Sequence, residues 1–304
     1  MEDVGIIIVT YNSEAEIGTC LEAAVATGAE VIVIDNASED QTRHEVERRG
    51  VRLIANPGNL GFAAAVNQGV RALSAPLLLL LNPDAMIETS LEPLRRACLD
   101  SQTAAAGGML IDEEGQPQAG FMVRRFPTPG ALSLEALGVN RVWPRNPVNW
   151  HYRCFDLDCR AGGEVEQPAG AFLMIRREAW EKLSGFDESF FPLWFEDVDF
   201  LKRASDHHYR IRFVPESVAK HTGGHSIQKI SLEFRQFYWY GNLVKYASKH
   251  FSPGGHKLVC LAVILGSMLR SLLGLVRHRS LEPIAVYGNV VRLAGRQLFL
   301  GPAG

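Results

Sequence analysis

Over the first third of the chain, short runs of apolar residues alternate with amphipathic stretches. Val4 to Val9, Val31 to Ile34 and Leu77 to Leu81 are nearly free of polar side chains. They are too short to span a membrane and too uniform for a one-faced surface strand. This pattern predicts strands of a parallel sheet buried on both faces. Ser13 to Thr27 places Ile17, Leu21, Ala24 and Val25 at helical spacing, with Ser13 as the expected N-cap. Glu39 to Arg49 and Phe62 to Leu73 are further helices, with a short strand at Leu53–Ile54 between them. Strand and helix alternate four times in about eighty residues, which is the signature of right-handed βαβ units.

The leucine run ends in Asn82, Pro83 and Asp84. Pro83 cannot donate to a ladder, so the strand should stop there and leave Asp84 at its carboxyl end, where open α/β sheets bind ligands. The plainer reading is an acid that only shapes a turn. A helix is expected at Leu91 to Leu99, followed by strands Met109 to Ile111 and Ala119 to Val123 joined through Glu113-Glu114-Gly115. From Phe126 to Asn149 four prolines predict a loop-rich surface segment. Order returns with a strand at Ala171 to Ile175, a helix at Arg177 to Leu183, a helix opened by Glu196-Asp197-Val198-Asp199, and a strand at Ile211 to Val214. A loop from Lys220 to Ser226 then leads to an aromatic helix, Leu232 to His250. Phe234, Phe237, Tyr238, Trp239 and Tyr240 on it either pack a core or line an acceptor site.

Leu258 to Leu275 is apolar apart from Gly, Ser and Arg270, and basic residues bracket it. From His256 onward there are six Lys or Arg and one acid, Glu282, although the whole chain carries a formal charge of −3. A helix lying in or dipping into an anionic membrane interface fits this best, with a buried helix or a true span as the other readings. No signal-peptide pattern precedes Val4, and five cysteines without metal spacing read as reduced thiols; both predict a cytoplasmic chain. No nucleic-acid partner is expected.

Three predicted strand ends, after Val9, Ile34 and Leu81, converge if the sheet is parallel. Asp35 can accept from a base imide or a ribose hydroxyl. Gly58 and Gly61 permit close backbone approach, and free amides of the helix starting near Phe62 suit a diphosphate. The dinucleotide and P-loop glycine motifs are both missing. A diphosphate leaving group calls for a hard divalent cation on a carboxylate, which gives Asp84 a role, and Asp197 is a candidate proton acceptor. His221 is a candidate metal ligand or phosphate contact.

The stretches VTYNSE, VIVIDNASED, NLGFAAAVNQG, LLLLNPDA, GAFLMIRREAWEKLSGFDESFF, FEDVDF and HTGGHS together resemble family 2 glycosyltransferases, in the rhamnosyltransferase-like branch that builds lipid-linked polysaccharides. The segment GQPQAGFMVRRFPTP is similar to that branch too. The resemblance covers about residues 4 to 250. It implies the GT-A fold, a mostly parallel α/β sheet with helices on both faces, and an inverting enzyme using Mg2+ or Mn2+. It also implies a dTDP- or UDP-sugar donor, dTDP-rhamnose foremost, and a glycan or polyprenyl-diphosphate-linked acceptor.

By position, the resemblance implies that Thr10, Tyr11 and Asn12 line the base pocket and that Asp35 reads the base. Asn59, Gly61, Phe62 and Asn67 would lie along the nucleotide-sugar. Asp84 would be the metal ligand closing an Asp-x-Asp motif whose first acid is replaced by Asn82. Asp197, the second acid after Glu196, would be the catalytic base, and His221, with His225 competing, would complete the metal site. The expected organisation is a catalytic domain over 1–225, with a nucleotide-binding half to about 100 and an acceptor half after it, and a helical, membrane-associated region over 226–304. A sugar nucleotidyltransferase and a non-catalytic sugar-nucleotide-binding protein are the alternatives from other classes.

Overall fold

The computed structural model describes residues 1–223, 231–278 and 282–300. In chain order the elements of the first 126 residues are β1 (Val4–Thr10), α1 (Ile17–Ala26), β2 (Glu30–Asp35), α2 (Thr42–Arg48), β3 (Arg52–Ala55), α3 (Phe62–Ala72), β4 (Leu77–Leu81), β5 (Ala85–Ile87), α4 (Glu92–Leu99), β6 (Thr103–Ile111) and β7 (Val123–Arg124). Next come α5 (Pro129–Leu137), α6 (Val139–Val142), α7 (Pro147–Tyr152), β8 (Gly163–Glu164), β9 (Gln167–Pro168), β10 (Phe172–Arg176), α8 (Arg177–Lys182), α9 (Glu196–Asp206) and β11 (Arg210–His221). Three long helices follow: α10 (Leu232–His250), α11 (Pro253–His278) and α12 (Glu282–Leu300).

All five leucines of β4 are buried, and they serve two cores. Leu77, Leu79 and Leu81 pack with Ile17, Leu21, Ala24 and Leu94 from α1 and α4. Leu78 and Leu80 face the other way, into a cluster with Val66 and Val70 of α3 and Phe200 and Leu201 of α9. This two-sided burial is why the run has no polar alternation, and each leucine contributes roughly 1.5–3 kcal/mol.

The main sheet runs β3-β2-β1-β4-β10-β6-β11-β5, with β8 beside β11. The first four strands are mutually parallel, and so are β6 and β11. β10 runs antiparallel between β4 and β6. This mostly parallel sheet, covered by helices on both faces, is the GT-A architecture expected of the sequence.

Several expectations need correction. Ser13 does not cap α1: its amide donates to Thr42 Oγ1 at 2.7 Å, and the helix starts four residues later behind Glu16, which makes no side-chain cap. No strand covers Ala119–Met122. A turn at Asp112–Gln116 follows β6, and β7 pairs with β9 instead. The proline-marked segment after Phe126 is helical, because Thr128 caps α5 with Pro129 in its first turn, where a missing N–H costs nothing. His221 ends a twelve-residue strand rather than lying in a loop, since β11 continues past an irregularity between Val214 and Val218.

Two compact units are present. The first comprises Met1–Phe126, Arg153–Pro192 and Glu196–Ser226 and contains the sheet. The second comprises Pro127–Tyr152, Leu193–Phe195 and Ile227–Gly304. Within the second, α11 packs on α5 and α12. Gly266 makes the approach to α5 possible, because a Cβ there would stand 2.1 Å from Ala136 O. Arg270, the charge inside the apolar stretch, donates to that same carbonyl at 2.6 Å near the α5 C-terminus, where the helix dipole favours a cation. Of the aromatics on α10, Tyr240 is buried and Phe234 is exposed.

Candidate functional site

Asn82 and Asp84 follow β4, and β5 begins immediately afterwards. β5 lies antiparallel on the end of β11 with His221 opposite Ala85. This pairing brings His221 Nε2 to 3.4 Å from Asp84 Oδ1 and 3.5 Å from Asn82 Nδ2. His221 is buried, and its Nδ1 stands 3.0 Å from Gln118 Oε1. Phe121 stacks on the imidazole with centroids 5.3 Å apart and planes within 9°. His225 lies outside the described residues.

The donor set suits a divalent cation. Neighbouring ligands on an octahedron with bonds of about 2.1 Å stand roughly 3 Å apart, close to the separation of Asp84 and His221. A carboxylate with an imidazole fits Mn2+, and the carboxylate alone fits Mg2+. No group of three His, Cys, Asp or Glu able to hold a metal occurs among the described residues. Phosphate oxygens of a substrate would have to complete such a shell, as they commonly do.

The acids of α9 stand at the same end of the sheet. Asp197 Oδ2 accepts from the Gly170 amide at 3.0 Å, and Oδ1 accepts from the Val198 amide at 2.8 Å. The neighbouring Ala171 carbonyl accepts from the Asn82 amide at 3.0 Å. Two consecutive residues ahead of β10 therefore hold the acid and the end of β4 together. Burial pushes the Asp197 carboxyl above the ordinary aspartate range, against the pull of those two amides and of the Arg124 charge. Glu196 is buried, and Oε2 has no hydrogen-bond partner among the described residues. Burial first, then the charge of Asp197, raises its pKa well above that of an ordinary glutamate. Asp199 is paired with Arg203 at 2.8 Å, which anchors the helix.

The ends of β1 and β2 form a third group. Asp35 is fully buried. Oδ1 accepts from Thr10 Oγ1 at 3.0 Å and from Ser38 Oγ; Oδ2 accepts from the Ser38 amide at 3.0 Å and from Arg43 Nε at 2.6 Å. These four bonds fill the usual acceptor capacity of a carboxylate. Tyr11 is half-buried beyond β1, and Asn12 Oδ1 accepts from the Glu39 amide at 2.8 Å.

Asn36 Nδ2 donates to Gly61 O at 3.1 Å, tying the β2 end to the turn before α3. In that turn Asn59 Oδ1 accepts from the Gly61 amide at 2.9 Å. Gly61 has φ 86°, and a Cβ there would meet Phe191 Cδ2 at 2.9 Å, so only glycine fits.

The start of α3 departs from expectation. The Phe62 amide is not free for a phosphate, because it donates to Pro192 O at 2.6 Å. Asn67 is also committed: its side chain accepts from the Phe186 amide at 3.1 Å and donates to Phe186 O and Glu188 Oε1, both at 2.9 Å.

Sequence reasoning missed Gln118, Phe121, Arg124 and Gly170. The first three fall in GQPQAGFMVRRFPTP, which was matched as a stretch without roles for its residues. Gly170 could have been noticed as a glycine directly ahead of an apolar strand, a common mark of close approach.

Comparison with known proteins identifies the family and the fold. The family described as "Glycosyl transferase family 2" matches residues 5–184, and "Glycosyl transferase family group 2" matches residues 143–291. The N-acetylglucosaminyl-diphospho-decaprenol L-rhamnosyltransferase of Mycobacterium tuberculosis is 29% identical over 245 residues, covering 73% of this chain and 76% of that protein. The low-salt glycan biosynthesis hexosyltransferase Agl10 of Haloferax volcanii is 27% identical over 211 residues, 67% of this chain and 62% of that relative's length, so the chain spans less than two thirds of it. Among solved structures, the mannosyltransferase PcManGT of Pyrobaculum calidifontis, in complex with GDP-Man and Mn2+, superposes with a TM-score of 0.55 at 16% identity. That match covers 99% of this chain and 88% of the other.

Proposed function

The chain belongs to glycosyltransferase family 2, and we propose that it transfers a sugar with inversion from a nucleoside diphosphate to a hydroxyl of a glycan or polyprenyl-diphosphate-linked acceptor. The foremost donor is dTDP-rhamnose, with a UDP-sugar as the alternative; the rhamnosyltransferase named above supports this choice and the lipid-linked acceptor. The observation that carries the reading is the juxtaposition at one sheet end. Asp84 and His221 stand 3.4 Å apart, and Asp197 is tied to the neighbouring Asn82 through Gly170 and Ala171.

In this reading Asp197 takes the proton of the acceptor hydroxyl as its oxygen attacks the anomeric carbon, and the nucleoside diphosphate departs from the opposite face. A raised pKa makes Asp197 a stronger base than an ordinary aspartate. Glu196 is buried beside it, and burial together with the Asp197 charge pushes its carboxyl well above the ordinary range. A divalent metal, Mg2+ or Mn2+, held by Asp84 and His221 with Asn82 at its side, would neutralise charge on the departing diphosphate. The Mn2+ in the Pyrobaculum enzyme supports this. Thr10, Tyr11, Asn12 and Asp35 form the base side. A base imide at Asp35 would displace Arg43, the solvent-exposed member of its four bonds. Gly61 and Asn59 shape the adjoining wall, Phe62 contributes its ring, and Asn67 positions the Phe186–Glu188 loop behind it.

Catalysis is assigned to 1–225 and membrane association to 226–304. Along α11, Leu258, Leu261, Leu265, Leu269, Leu272 and Val276 expose 46–78% of their surface at helical spacing. Among the described residues α11 is the one helix long and apolar enough to cross a membrane. A face of this kind on a basic segment suits peripheral attachment to the inner surface of the cytoplasmic membrane. Incubation with dTDP-rhamnose and a polyprenyl-diphosphate-linked acceptor should release dTDP and invert the anomeric centre, read by NMR of the product. Retained configuration, or pyrophosphate in place of the nucleoside diphosphate, contradicts the proposal.

A further inference from the structure

We infer that Gln118 is a positioning residue for His221, its side-chain amide selecting the imidazole tautomer that turns the Nε2 lone pair toward Asp84. The inference rests on the reading of Asp84 and His221 as metal ligands. Its logic is a hydrogen-bond count. Gln118 Nε2 lies 2.6 Å from the His221 carbonyl oxygen, which only accepts, so the amide nitrogen must face it. The other end of the same amide, 3.0 Å from Nδ1, is then the oxygen, which also only accepts. Nδ1 must therefore carry the proton.

In the neutral ring this leaves Nε2 with its lone pair directed at the side of Asp84 and Asn82, the form in which imidazole binds a metal. That lone pair faces Asp84 Oδ1 across 3.4 Å, so an ion bound there would be held from both sides. Gln118 thus holds the neutral ring in the tautomer whose Nε2 can bind an ion.

The amide is itself held in place. The Gln118 N–H donates to Leu110 O at 2.9 Å on β6, and Leu110 stands opposite Ala219 in the pairing of β6 with β11. The Gln118 carbonyl accepts from the Phe121 and Met122 amides at 3.1 and 3.0 Å. That turn presents Phe121 to the face of the His221 ring. The backbone of His221, its ring nitrogen and its ring face are all fixed by one short segment.

The test measures Mn2+ binding by water-proton relaxation, with dTDP and in parallel UDP present, on wild type, His221→Ala, Gln118→Met, Gln118→Asn and Gln118→Glu. Gln118→Met removes both bonds at similar length, and loss of an outer-shell partner of this kind typically weakens metal binding about 10- to 100-fold. Affinity for the nucleotide without metal should stay unchanged, which a general disruption of the fold would not allow. Gln118→Glu keeps an acceptor for Nδ1–H and should bind Mn2+ more tightly than Gln118→Met. Gln118→Asn, one methylene too short to span both contacts, should be as weak as Gln118→Met, and it decides the matter should the methionine variant fail to fold. Loss of Mn2+ binding in His221→Ala with wild-type binding in Gln118→Met and Gln118→Asn overturns the role of Gln118 alone. A wild type that binds no Mn2+ with either nucleotide overturns the metal reading and this inference with it.

Discussion

Asp84 and His221 meet through a strand of three residues. Asp84 directly precedes β5, His221 closes β11, and the antiparallel pairing of these two strands sets Asp84 Oδ1 3.4 Å from His221 Nε2. Neither the leucine strand nor the long β11 makes this contact alone. It depends on the chain turning at Pro83 and returning along the far edge of the sheet, where the Thr222 amide also donates to Asp84 O at 3.2 Å.

Asp197→Asn should lower kcat about 10²- to 10⁴-fold, the usual contribution of a general base, with donor affinity nearly unchanged. Asparagine keeps the side chain's size and, through its one carbonyl oxygen, one of the two amide contacts from Gly170 and Val198, and it removes the basicity. Steady-state kinetics beside a nucleotide-binding titration decides it; turnover near that of wild type removes Asp197 from the role of base.

The pH profile should report the same group. A base works deprotonated, so kcat/KM should rise with pH through the Asp197 pKa, which burial holds above the ordinary value. The Arg124 charge pulls that pKa down, so Arg124→Gln should move the acid limb to higher pH. A limb that stays in place, or moves to lower pH, contradicts the assignment.

Glu196→Gln offers a stability test with a definite sign. The Glu196 pKa lies well above its ordinary value of 4.5. As pH rises from about 4.5 through the raised pKa, the native state holds a proton that the unfolded state has released, and the wild type loses stability across that window. Glutamine has no such proton. The Tm of Glu196→Gln minus that of wild type should therefore grow as pH climbs above about 4.5. Thermal melts across pH check this, and a difference that shrinks with rising pH contradicts it.

Replacing Leu265 and Leu272 with serine should weaken co-flotation with anionic liposomes by about tenfold or more, because burying a leucine contributes roughly 1.5–3 kcal/mol. Both side chains are mostly exposed, so the fold should keep its Tm. Undiminished flotation would exclude this face of α11 as the membrane contact.

Much of the sheet was legible in the sequence because β1, β2 and β4 are buried on both faces and so lack polar residues. The outermost strands were harder to see. β5 is three residues long, and β11 passes through Pro215 and Glu216, which interrupt its apolar pattern. The α5–α7 segment was misread because proline in a first helical turn carries the same local signal as proline in a loop. In the site, Asp84, Asp197 and His221 stood out as ionisable groups near strand or helix ends. Gln118 and Gly170 did not, because they act through a neutral amide and a backbone N–H, whose significance appears only once the partner is in place.

The central claim is nucleoside-diphosphate-sugar transfer supported by a metal on Asp84 and His221. The most direct measurement is nucleoside diphosphate release from dTDP-rhamnose, and in parallel from UDP-sugars, in the presence of a polyprenyl-diphosphate-linked acceptor, before and after EDTA. Release should cease with the chelator, return on adding excess Mn2+ or Mg2+, and remain low in Asp84→Ala with metal present. Undiminished release in EDTA, or full activity in Asp84→Ala, contradicts the account.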